Sequence, residues 1–453
     1  MPHAWISELG ALLEPGRVEL DPDIVASFSR DQAPLAPAGT AAALVRARST
    51  DDVAKALRIA HAHRVPVVTR AAGTGLAGGA NALDGCLLLS VAKMDRILAI
   101  DEGTRTAVVE PGVLNAVLAS TVAARGLYYA PDPASREIST IGGNIATNAG
   151  GSCCLKYGVT GDHVAALQVA LADGTLVRTG AITAKNVAGL DLTRLLVGSE
   201  GTLGVIVEAT LRLRRARGAS STLVSFFPTL ASAGRAIVAM EAVTDLSLLE
   251  VMDRTTLLAV ERMTNMQLDT SSAAMVLAQS DAVDAAAAIA RCAEVCAAHG
   301  GEAVASDDPE EGKLLLSARR MALPALERLG TTLLDDVAVP KPAIPEMIAR
   351  IEAIATRNEL TIGTFGHAGD GNLHPTIVFE PADDASRARA FVAFDEIVHA
   401  ALDLRGTIAG EHGVGALKQR YVGAMVGDAE QALMRRIKAA FDPLGILNPG
   451  RGY

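Results

Sequence analysis

The feature that most restricts the fold of this chain is a strand that ends directly in a glycine-rich turn. Residues 66–70 read as a short strand, and glycines follow at positions 73, 75, 78 and 79. Backbone amides in such a turn can approach a phosphate closely, because glycine adds no side chain. No long helix follows, since residues 81–85 read as a loop, so the turn is not a Rossmann dinucleotide motif. A phosphate-binding turn and an ordinary loop both remain open at this point.

A second segment, residues 130–163, carries little helix or strand signal. It is crowded with Gly, Asn, Ser, Thr and Pro, most densely at residues 131–151. An irregular segment of that length inside a compact domain usually forms a binding loop. Its amides, hydroxyls and carboxamides would suit the edge of a flat polar ring and a pyrophosphate, and a purely structural loop is the alternative.

The chain of 453 residues allows two or three domains at roughly 150 residues each. Strand-like segments at 164–178 and 203–214 close the first part. The pattern of predicted elements changes at residues 214–218, and strands then alternate with alanine-rich helices to about residue 360. That pattern is typical of an α+β domain with an antiparallel sheet. The last helix is predicted over residues 428–441.

Polar residues that could carry chemistry lie in the second half of the chain. His367 and His374 flank a Gly-Asp-Gly turn, and Glu411 with His412 lies in another glycine-rich turn. Two imidazoles and a carboxylate form a common open ligand set for zinc or another divalent metal, and satisfied loop histidines are the alternative. Arg319 lies on a helical stretch, where its guanidinium could hold an anionic substrate or only face solvent.

Composition argues against several classes of protein. With 41 basic and 51 acidic residues the net charge is −10, which disfavours nucleic acid or an anionic membrane surface as the main partner. Half of the residues are hydrophobic, so the chain is not disordered. No segment approaches the roughly 18 apolar residues of a membrane helix, and residues 1–5 do not begin a secretory signal. The expected location is cytoplasmic, including the inner face of the membrane.

Taken together, these motifs resemble those of the flavin-dependent 2-hydroxyacid dehydrogenases of the vanillyl-alcohol-oxidase fold. That family includes D-lactate dehydrogenases, D-2-hydroxyglutarate dehydrogenase and the flavin subunit of bacterial glycolate oxidase. The matching segments follow the family's order and are residues 67–79, 129–157, 191–206, 367–375, 410–415 and 441–450. The resemblance implies an α+β fold with a bipartite FAD-binding domain, formed by residues 1–216 and a C-terminal return at 417–453. Residues 217–416 would form an antiparallel-sheet substrate cap domain.

The resemblance also assigns roles to individual residues. The implied metal ligands, with zinc as the expected ion, are His367, His374 and Glu411. His412 matches the family's proposed base and Arg319 its carboxylate-binding arginine, and Thr376 joins them as a substrate contact. The implied contacts to FAD are Arg70, Ala72, Gly73, Thr74, Gly75, Leu76, Gly78, Gly79, Pro131, Asp132, Ser139, Thr140, Gly142, Gly143, Asn144, Thr147, Asn148, Gly150, Gly151, Gly204, Ile206 and Asn448.

Three departures from the family pattern narrow the expected chemistry. Thr74 occupies the position where many members of the fold carry an FAD-linking histidine, so non-covalent FAD is expected. Leu334 and Leu323 occupy positions where the 2-hydroxyglutarate enzymes carry a Lys and a Thr that would serve a second carboxylate. The resemblance therefore implies oxidation of D-lactate or glycolate to the 2-oxo acid, with a divalent metal, a histidine base and hydride transfer to N5 of FAD.

Other functions remain open. Within the family, D-2-hydroxyglutarate or another D-2-hydroxy acid is the alternative substrate. Outside it, the alternatives are a non-redox flavoenzyme resembling alkyl-dihydroxyacetone-phosphate synthase, a zinc hydrolase and a non-catalytic subunit. The electron acceptor stays open between a quinone, a cytochrome, an electron-transfer flavoprotein and oxygen. The expected assembly is a homodimer or one subunit of a glycolate-oxidase-like complex.

Overall fold

A computed structural model describes residues 4–453, without the side chain of Pro309. The prediction about a secretory signal falls partly on residues 1–3, which lie outside the described residues. The strands are β1 (Val18–Glu19), β2 (Ala43–Arg46), β3 (Val67–Arg70), β4 (Leu87–Ser90), β5 (Ile97–Asp101), β6 (Thr106–Val109), β7 (Leu127–Tyr128), β8 (Val164–Ala170), β9 (Leu176–Gly180), β10 (Val205–Arg212), β11 (Arg214–Arg215), β12 (Ser221–Phe227), β13 (Leu248–Asp253), β14 (Ala274–Ser280), β15 (Glu302–Ser306), β16 (Thr331–Leu334), β17 (Val337–Ala338), β18 (Thr361–His367) and β19 (Asn372–Phe379).

The helices are interspersed among these strands along the chain. They are α1 (Ala4–Leu12), α2 (Pro22–Ser27), α3 (Thr50–His63), α4 (Asn115–Ala123), α5 (Ile141–Thr147), α6 (Cys154–Tyr157), α7 (Thr160–His163), α8 (Leu192–Leu196), α9 (Leu230–Val243), α10 (Arg254–Thr264), α11 (Ala285–Ala298), α12 (Pro309–Arg320), α13 (Ala322–Glu327), α14 (Ile344–Arg357), α15 (Asp384–Asp403) and α16 (Val422–Phe441). Single 3-10 turns occupy Lys341–Ala343, Ala368–Asp370 and Gln419–Tyr421. In the part of the chain covered by the structure, no helix has both the length and the apolar character needed to cross a membrane.

The chain forms two compact units. The first consists of the described residues up to Gly150, residues 158–216 and residues 411–453. The second consists of residues 151–157 and 217–410. The chain leaves the first unit after Ala216, inside residues 214–218, where the pattern of predicted elements changes.

The C-terminal return to the first unit starts at Glu411 rather than at residue 417. The N–H groups of Val414 and Gly415 donate to the carboxylate of Glu200 at 2.7 and 2.8 Å. The N–H of Ala416 donates to the backbone carbonyl of Ala77 at 2.9 Å. These hydrogen bonds attach the first residues of the return to the glycine-rich turn and its surroundings.

The first unit contains a small sheet with the strand order β1-β2-β4-β3. Strands β2, β4 and β3 pair in parallel, and most of their side chains are buried, which explains their continuous apolar sequences. Helix α3 connects β2 to β3 and begins where the Ser49 hydroxyl accepts the N–H of Asp52. Near the C-terminus, Leu447 forms a parallel bridge with Val67 of β3.

A second sheet of the first unit is antiparallel, with the order β5-β6-β10-β8-β9. The predicted hairpin is confirmed, because β8 and β9 pair across the turn at residues 171–175. Leu118, Ile141 and Leu211 belong to one buried core, in which α4 and α5 pack with this sheet.

Residues 130–163 are not irregular throughout, so that prediction is wrong in part: they form α5, α6 and α7. Helix α5 begins where the Thr140 hydroxyl accepts the N–H of Gly143 at 3.3 Å, and it ends at Asn148 in the left-handed conformation. Glycine is required within it, because a Cβ atom on Gly142 would lie 2.5 Å from Cβ of Pro111. The sequence therefore predicts no helix here, because its helix propensity is low, but tertiary packing stabilises one.

The second unit is built on one large sheet with the order β15-β12-β14-β13-β18-β19-β16 and with β17 beside β19. All of these strand pairs are antiparallel. The predicted α+β class with an antiparallel sheet is confirmed. Leu257 on α10 and Leu326 on α13 share a buried core with Phe365 of β18, so helices cover part of the sheet.

The last helix ends at Phe441, as predicted, and begins at Val422. Gly427 interrupts it with a φ of 79°. The predicted start at residue 428 is therefore the first residue after this interruption, and the prediction missed the turns of helix before Gly427.

Candidate active site

One face of the large sheet collects polar side chains near its centre. Phe365 of β18 pairs with His374 of β19, and His367 lies two residues along β18 on the same face. On the neighbouring strand β13, Met252 pairs with Phe365, so Glu250 also belongs to this face. Strand register thus brings together two imidazoles and a carboxylate, although Glu250 and His367 are 117 positions apart in the sequence.

Glu250 joins Arg319 to His367. Its carboxylate accepts a hydrogen bond from Nε of Arg319 at 2.6 Å and lies 2.6 Å from Nδ1 of His367. Arg319 is 7% exposed, and its guanidinium carbon lies 4.7 Å from the ring centre of Phe365. Burial would raise the pKa of Glu250, but Arg319 and His367 outweigh it and hold that pKa below its ordinary value. Two predicted site residues are thus held by one ionised carboxylate.

Asp336 stands in a similar relation to His374. One of its oxygens lies 3.5 Å from Nδ1 of His374 and accepts a hydrogen bond from the side chain of Asn372, and the other accepts the N–H of Gly410. The rings of His367 and His374 have centres 5.2 Å apart. Nδ1 of His367 is thus at hydrogen-bond distance from its carboxylate, an arrangement that commonly orients Nε2 as a metal ligand, whereas the carboxylate beside His374 is 3.5 Å away.

Three further predicted site residues have different surroundings. Thr376 is fully buried on β19, and its hydroxyl donates to the backbone carbonyl of His374 at 3.3 Å. Glu411 and His412 belong to the first unit, where Nε2 of His412 lies 3.7 Å from a carboxylate oxygen of Glu411. Their roles as metal ligand and base stay predictions.

Sequence reasoning missed Glu250, which has no motif of its own. It lies between Leu249 and Val251 in a strand whose residues are all buried. A carboxylate in a buried strand needs a charged or hydrogen-bonding partner. That mismatch between residue type and surroundings is the signal that could have found it.

The glycine-rich turn after β3 presents a row of backbone amides. Within residues 4–453, the N–H groups of residues 72–77 have no protein acceptor. Gly73 has a φ of 75°, and a Cβ atom there would lie 2.0 Å from Nη2 of Arg70. Arg70 is itself buried and donates to the backbone carbonyl of Arg30 at 2.7 Å. Successive unpaired amides in such a turn suit an anionic group.

Residues near the C-terminus hold this turn in place. The side-chain amide of Asn448 donates to the backbone carbonyls of Gly79 at 2.9 Å and Glu200 at 2.7 Å. Nε of Arg451 donates to the carbonyl of Gly78 at 3.0 Å. Sequence reasoning singled out Asn448 but missed Arg451, which directly follows the last matching motif.

Several predicted cofactor contacts between residues 131 and 151 have structural partners. Thr140 and Asn148 flank α5, and Asn144 accepts a hydrogen bond from Asn115 at 3.2 Å. The hydroxyl of Ser139, in contrast, is buried and has no hydrogen-bond partner in the described part of the chain. The other predicted residues here lie on α5 or in the segments around it and are Pro131, Asp132, Gly142, Gly143, Thr147, Gly150 and Gly151.

Gly204 directly precedes β10, and Ile206 is the second residue of that strand. A Cβ atom on Gly204 would lie 2.4 Å from Cγ1 of Val169, so strand packing requires glycine at this position. Ile206 pairs with Val169 across the two strands. Packing alone accounts for both residues, and their contact with a cofactor stays a prediction.

Comparison with known proteins decides the family. Residues 218–451 match the C-terminal domain of FAD linked oxidases, and residues 41–180 match an FAD binding domain. The chain belongs to the FAD-linked oxidase family. It is therefore an FAD-dependent oxidoreductase.

Curated relatives of this FAD-linked oxidase match over most of their length. Glycolate oxidase subunit GlcD of Bacillus subtilis (strain 168) is 42% identical over 91% of this chain and 88% of its own. D-lactate dehydrogenase of Anaerostipes hadrus is 33% identical over 97% of this chain and 95% of its own. D-2-hydroxyglutarate dehydrogenase of Stutzerimonas stutzeri (strain A1501) is 33% identical over 99% of this chain and 98% of its own.

Solved structures share the fold of this FAD-linked oxidase at low sequence identity. p-Cresol methylhydroxylase matches with a TM-score of 0.81 at 17% identity, over 99% of this chain and 96% of that chain. 4-Ethylphenol oxidase from Gulosibacter chungangensis matches with a TM-score of 0.79 at 19% identity, over the same shares of the two chains. Alkyldihydroxyacetonephosphate synthase matches with a TM-score of 0.76 at 16% identity, over 98% of this chain and 85% of that chain. These similarities confirm the vanillyl-alcohol-oxidase type of fold.

The first unit of this FAD-linked oxidase has donors that fit FAD. The unpaired amides of residues 72–77 suit the diphosphate, and Gly73 leaves them uncovered by any side chain of its own. The buried hydroxyl of Ser139, which lacks a partner among residues 4–453, suits a polar edge of the cofactor.

Proposed function

We propose that this FAD-linked oxidase converts a small D-2-hydroxy acid, D-lactate or glycolate, to the corresponding 2-oxo acid. The observation that carries the proposal is the guanidinium of Arg319, which Glu250 holds beside His367. Glu250 engages only Nε, and neither Nη atom of Arg319 has a hydrogen-bond acceptor among the described residues. The two-pronged edge of the guanidinium can therefore receive the carboxylate of a hydroxy acid.

The names of the curated relatives support the same class of substrate. They refer to glycolate, D-lactate and D-2-hydroxyglutarate. All three are 2-hydroxy acids, so the shared chemistry is a carboxylate next to an oxidisable carbinol carbon. An arginine for the carboxylate and imidazoles for the hydroxyl match that pair of groups.

Apolar residues around Phe365 favour a monocarboxylic acid over a dicarboxylic one. Leu323 and Leu334 are partly buried and pack against the core that contains Phe365. A second carboxylate placed against them would lose hydration without gaining a cation. D-lactate and glycolate have no second carboxylate, whereas D-2-hydroxyglutarate does.

Arg319 and His412 have different roles in the proposed reaction. Arg319 binds the carboxylate and orients the hydroxyl-bearing carbon. His412 is the proposed general base that takes the hydroxyl proton, and its partly exposed position lets the proton pass on to water. When bound, FAD supplies the two-electron oxidant that receives the hydride.

We propose a divalent metal, with zinc as the expected ion, as the second cofactor. His367 and His374 fit it, because a carboxylate lies beside Nδ1 of each ring. Glu411 is the third ligand predicted from the sequence. A bound divalent ion supplies Lewis-acid chemistry that favours loss of a hydroxyl proton.

The remaining assignments are also proposals. FAD is non-covalent in this proposal, because Thr74 stands where an FAD-linking histidine occurs in many members of the fold. The electron acceptor is a quinone, a cytochrome, an electron-transfer flavoprotein or oxygen. The protein acts in the cytoplasm or at the inner face of the membrane, as a homodimer or as one subunit of a glycolate-oxidase-like complex.

The proposed function is tested by following the visible flavin absorbance of the purified protein without oxygen. D-lactate, L-lactate, glycolate and D-2-hydroxyglutarate are added in separate titrations. We expect D-lactate or glycolate to bleach the flavin, and L-lactate and D-2-hydroxyglutarate to bleach it more slowly or not at all. Faster bleaching by D-2-hydroxyglutarate would move the substrate to the dicarboxylic acid. Flavin that stays oxidised with every 2-hydroxy acid in metal-loaded protein would contradict the redox proposal and favour a non-redox flavoenzyme.

A further inference from the structure

We propose that Glu250 is the positioning residue that couples the carboxylate-binding site to the metal site of this protein. One carboxylate fixes both Arg319 and His367, so the substrate anchor and a metal ligand are placed relative to each other by a single side chain. The inference rests on the proposed function, and it adds a residue that neither the motifs nor the relatives' names single out.

The backbone position of Glu250 suits such a task. Strand β13 lies inside the large sheet and pairs with β14 on one side and β18 on the other. The side chain of Glu250 is 1% exposed and ends between Arg319 and His367, at 2.6 Å from each. A carboxylate held in the interior of a sheet has little conformational freedom, so it fixes the positions of the two side chains that it binds.

Glu250 determines which nitrogen of His367 can bind a metal. The Nδ1 atom of His367 lies at hydrogen-bond distance from the carboxylate and so carries the proton. Nε2 then presents its lone pair. Replacing the carboxylate by an amide removes this preference, because an amide can either donate to or accept from the ring.

Glu250 has a different effect on Arg319. It engages Nε, and the guanidinium lies against the ring of Phe365. Two contacts on different parts of one planar group fix its orientation, which leaves the Nη edge for the substrate carboxylate. A purely structural ion pair would not need the hydrogen bond to His367. Nor would it need to bind only Nε and leave the Nη edge of the guanidinium open.

Zn²⁺ affinity separates a positioning role from a structural one. The FAD-loaded protein is stripped of metal and titrated with Zn²⁺ in competition with a chromophoric chelator. We expect Glu250→Gln to bind Zn²⁺ about 10- to 100-fold more weakly than the wild type, as for other residues that support a metal ligand. The matched control is Asp253→Asn, because Asp253 is a buried carboxylate on β13 that accepts the N–H groups of Thr256 and Thr364 instead. Its Zn²⁺ affinity should stay within about threefold of the wild type.

A second pair of variants keeps the test decisive if Glu250→Gln alone does not fold, since that change leaves a buried cation without a partner. Arg319→Gln removes the cation and is the reference protein for this pair. The double variant Glu250→Gln with Arg319→Gln should lose affinity by the same 10- to 100-fold relative to Arg319→Gln. Equal affinity of the double variant and Arg319→Gln would overturn the inference alone, whereas a wild type that binds no Zn²⁺ would overturn the proposed metal and the inference with it.

Discussion

Arg319 is a buried cation that its own protein satisfies only in part. Glu250 balances its charge through Nε, while Phe365 lies 4.7 Å from the guanidinium carbon. Exposed arginines on a helix contribute little to specific binding, because water competes for every N–H group. Burial removes that competition, so in the proposed site the geometry of the guanidinium would select the anion.

Arg319→Lys tests whether this geometry matters. A lysine keeps the charge but lacks the planar fork, so it cannot hold Glu250 and a carboxylate in the same way. We expect KM for the hydroxy acid to rise at least about tenfold, equivalent to about 1.4 kcal/mol, while flavin absorbance per protein is unchanged.

Arg320→Lys is the matched control for that change, because Arg320 is the neighbouring residue on α12 and is exposed. Its steady-state kinetics should equal those of the wild type. A KM for Arg319→Lys that equals the KM of this control would remove Arg319 from the substrate site.

Asp253 makes the stability of the protein depend on pH. Burial raises the pKa of Asp253 to about 6, although the N–H groups of Thr256 and Thr364 act in the opposite sense. In an unfolded chain an Asp titrates near pH 4. Between these values the folded protein holds a proton that the unfolded chain releases, so the stabilisation is complete below about pH 4 and is lost as the pH rises to about 6.

We therefore expect wild type and Asp253→Asn to differ in their pH dependence. On going from pH 7 to pH 4.5, the free energy of unfolding of the wild type should increase by about 1–3 kcal/mol more than that of the variant. Urea unfolding of both proteins at the two pH values measures this difference. Parallel changes in the two proteins would mean that Asp253 titrates in the folded state at its ordinary pKa.

At the scale of elements, the glycine-rich turn depends on segments that are distant in the sequence. Arg70 lies against Gly73, and Asn448 and Arg451 hold the carbonyls of the turn's last glycines. The carbonyls of Gly75, Ala77, Gly78 and Gly79 accept protein donors, whereas the N–H groups of residues 72–77 have no acceptor among the described residues and are available to a ligand. We therefore expect the turn to be an anion-binding site whose shape does not depend on the ligand.

Gly73→Ala should weaken FAD binding by about tenfold or more. The new Cβ atom would lie 2.0 Å from Nη2 of Arg70, and a φ of 75° adds strain of roughly 1–2 kcal/mol for an alanine. FAD content after dialysis, measured as flavin absorbance per protein, reports the loss.

Gly85→Ala separates the contact with Arg70 from the backbone strain. Gly85 has a similar φ of 70°, and a Cβ atom added there would have no described atom within 4 Å. This variant should carry the same backbone strain and keep its FAD. If both variants lost FAD equally, strain alone would explain the result and the contact with Arg70 would not matter.

At the scale of the whole molecule, a net charge of −10 has to be reconciled with the proposed anionic substrate. The net negative charge of the protein provides no long-range attraction for an anion on average. Binding must therefore come from short-range contacts with local cations. Arg319 is one such cation, and a divalent metal would be another.

Metal removal tests the second of these cations in the intact protein. Dialysis against a strong chelator should lower kcat by about 100-fold or more, because the Lewis acid is lost while FAD stays bound. Added Zn²⁺ should restore turnover. The control is dialysis against the same chelator saturated with Zn²⁺. Undiminished turnover in protein that elemental analysis shows to be metal-free would exclude a catalytic metal.

The sequence by itself determined the family, the class of fold and most of the candidate site. Long motifs in a fixed order carry that information, and local patterns are enough to place the β2–α3–β3 unit and the β8–β9 hairpin. His367, His374 and Arg319 could be named because they match the motifs of the family that the chain resembles, whereas their residue types and spacing alone left a structural role open.

Only the tertiary structure decided how these residues are supported. Helix α5 forms against its own propensity because Gly142 packs on Pro111, and this contact joins positions far apart in the chain. Glu250 meets Arg319 and His367 through the register of β13 with β18, and Arg451 meets Gly78 through the return of the C-terminus. Local sequence encodes residue chemistry and periodicity, whereas strand register and long-range packing depend on the whole fold, and the supporting residues of the site are set by the latter.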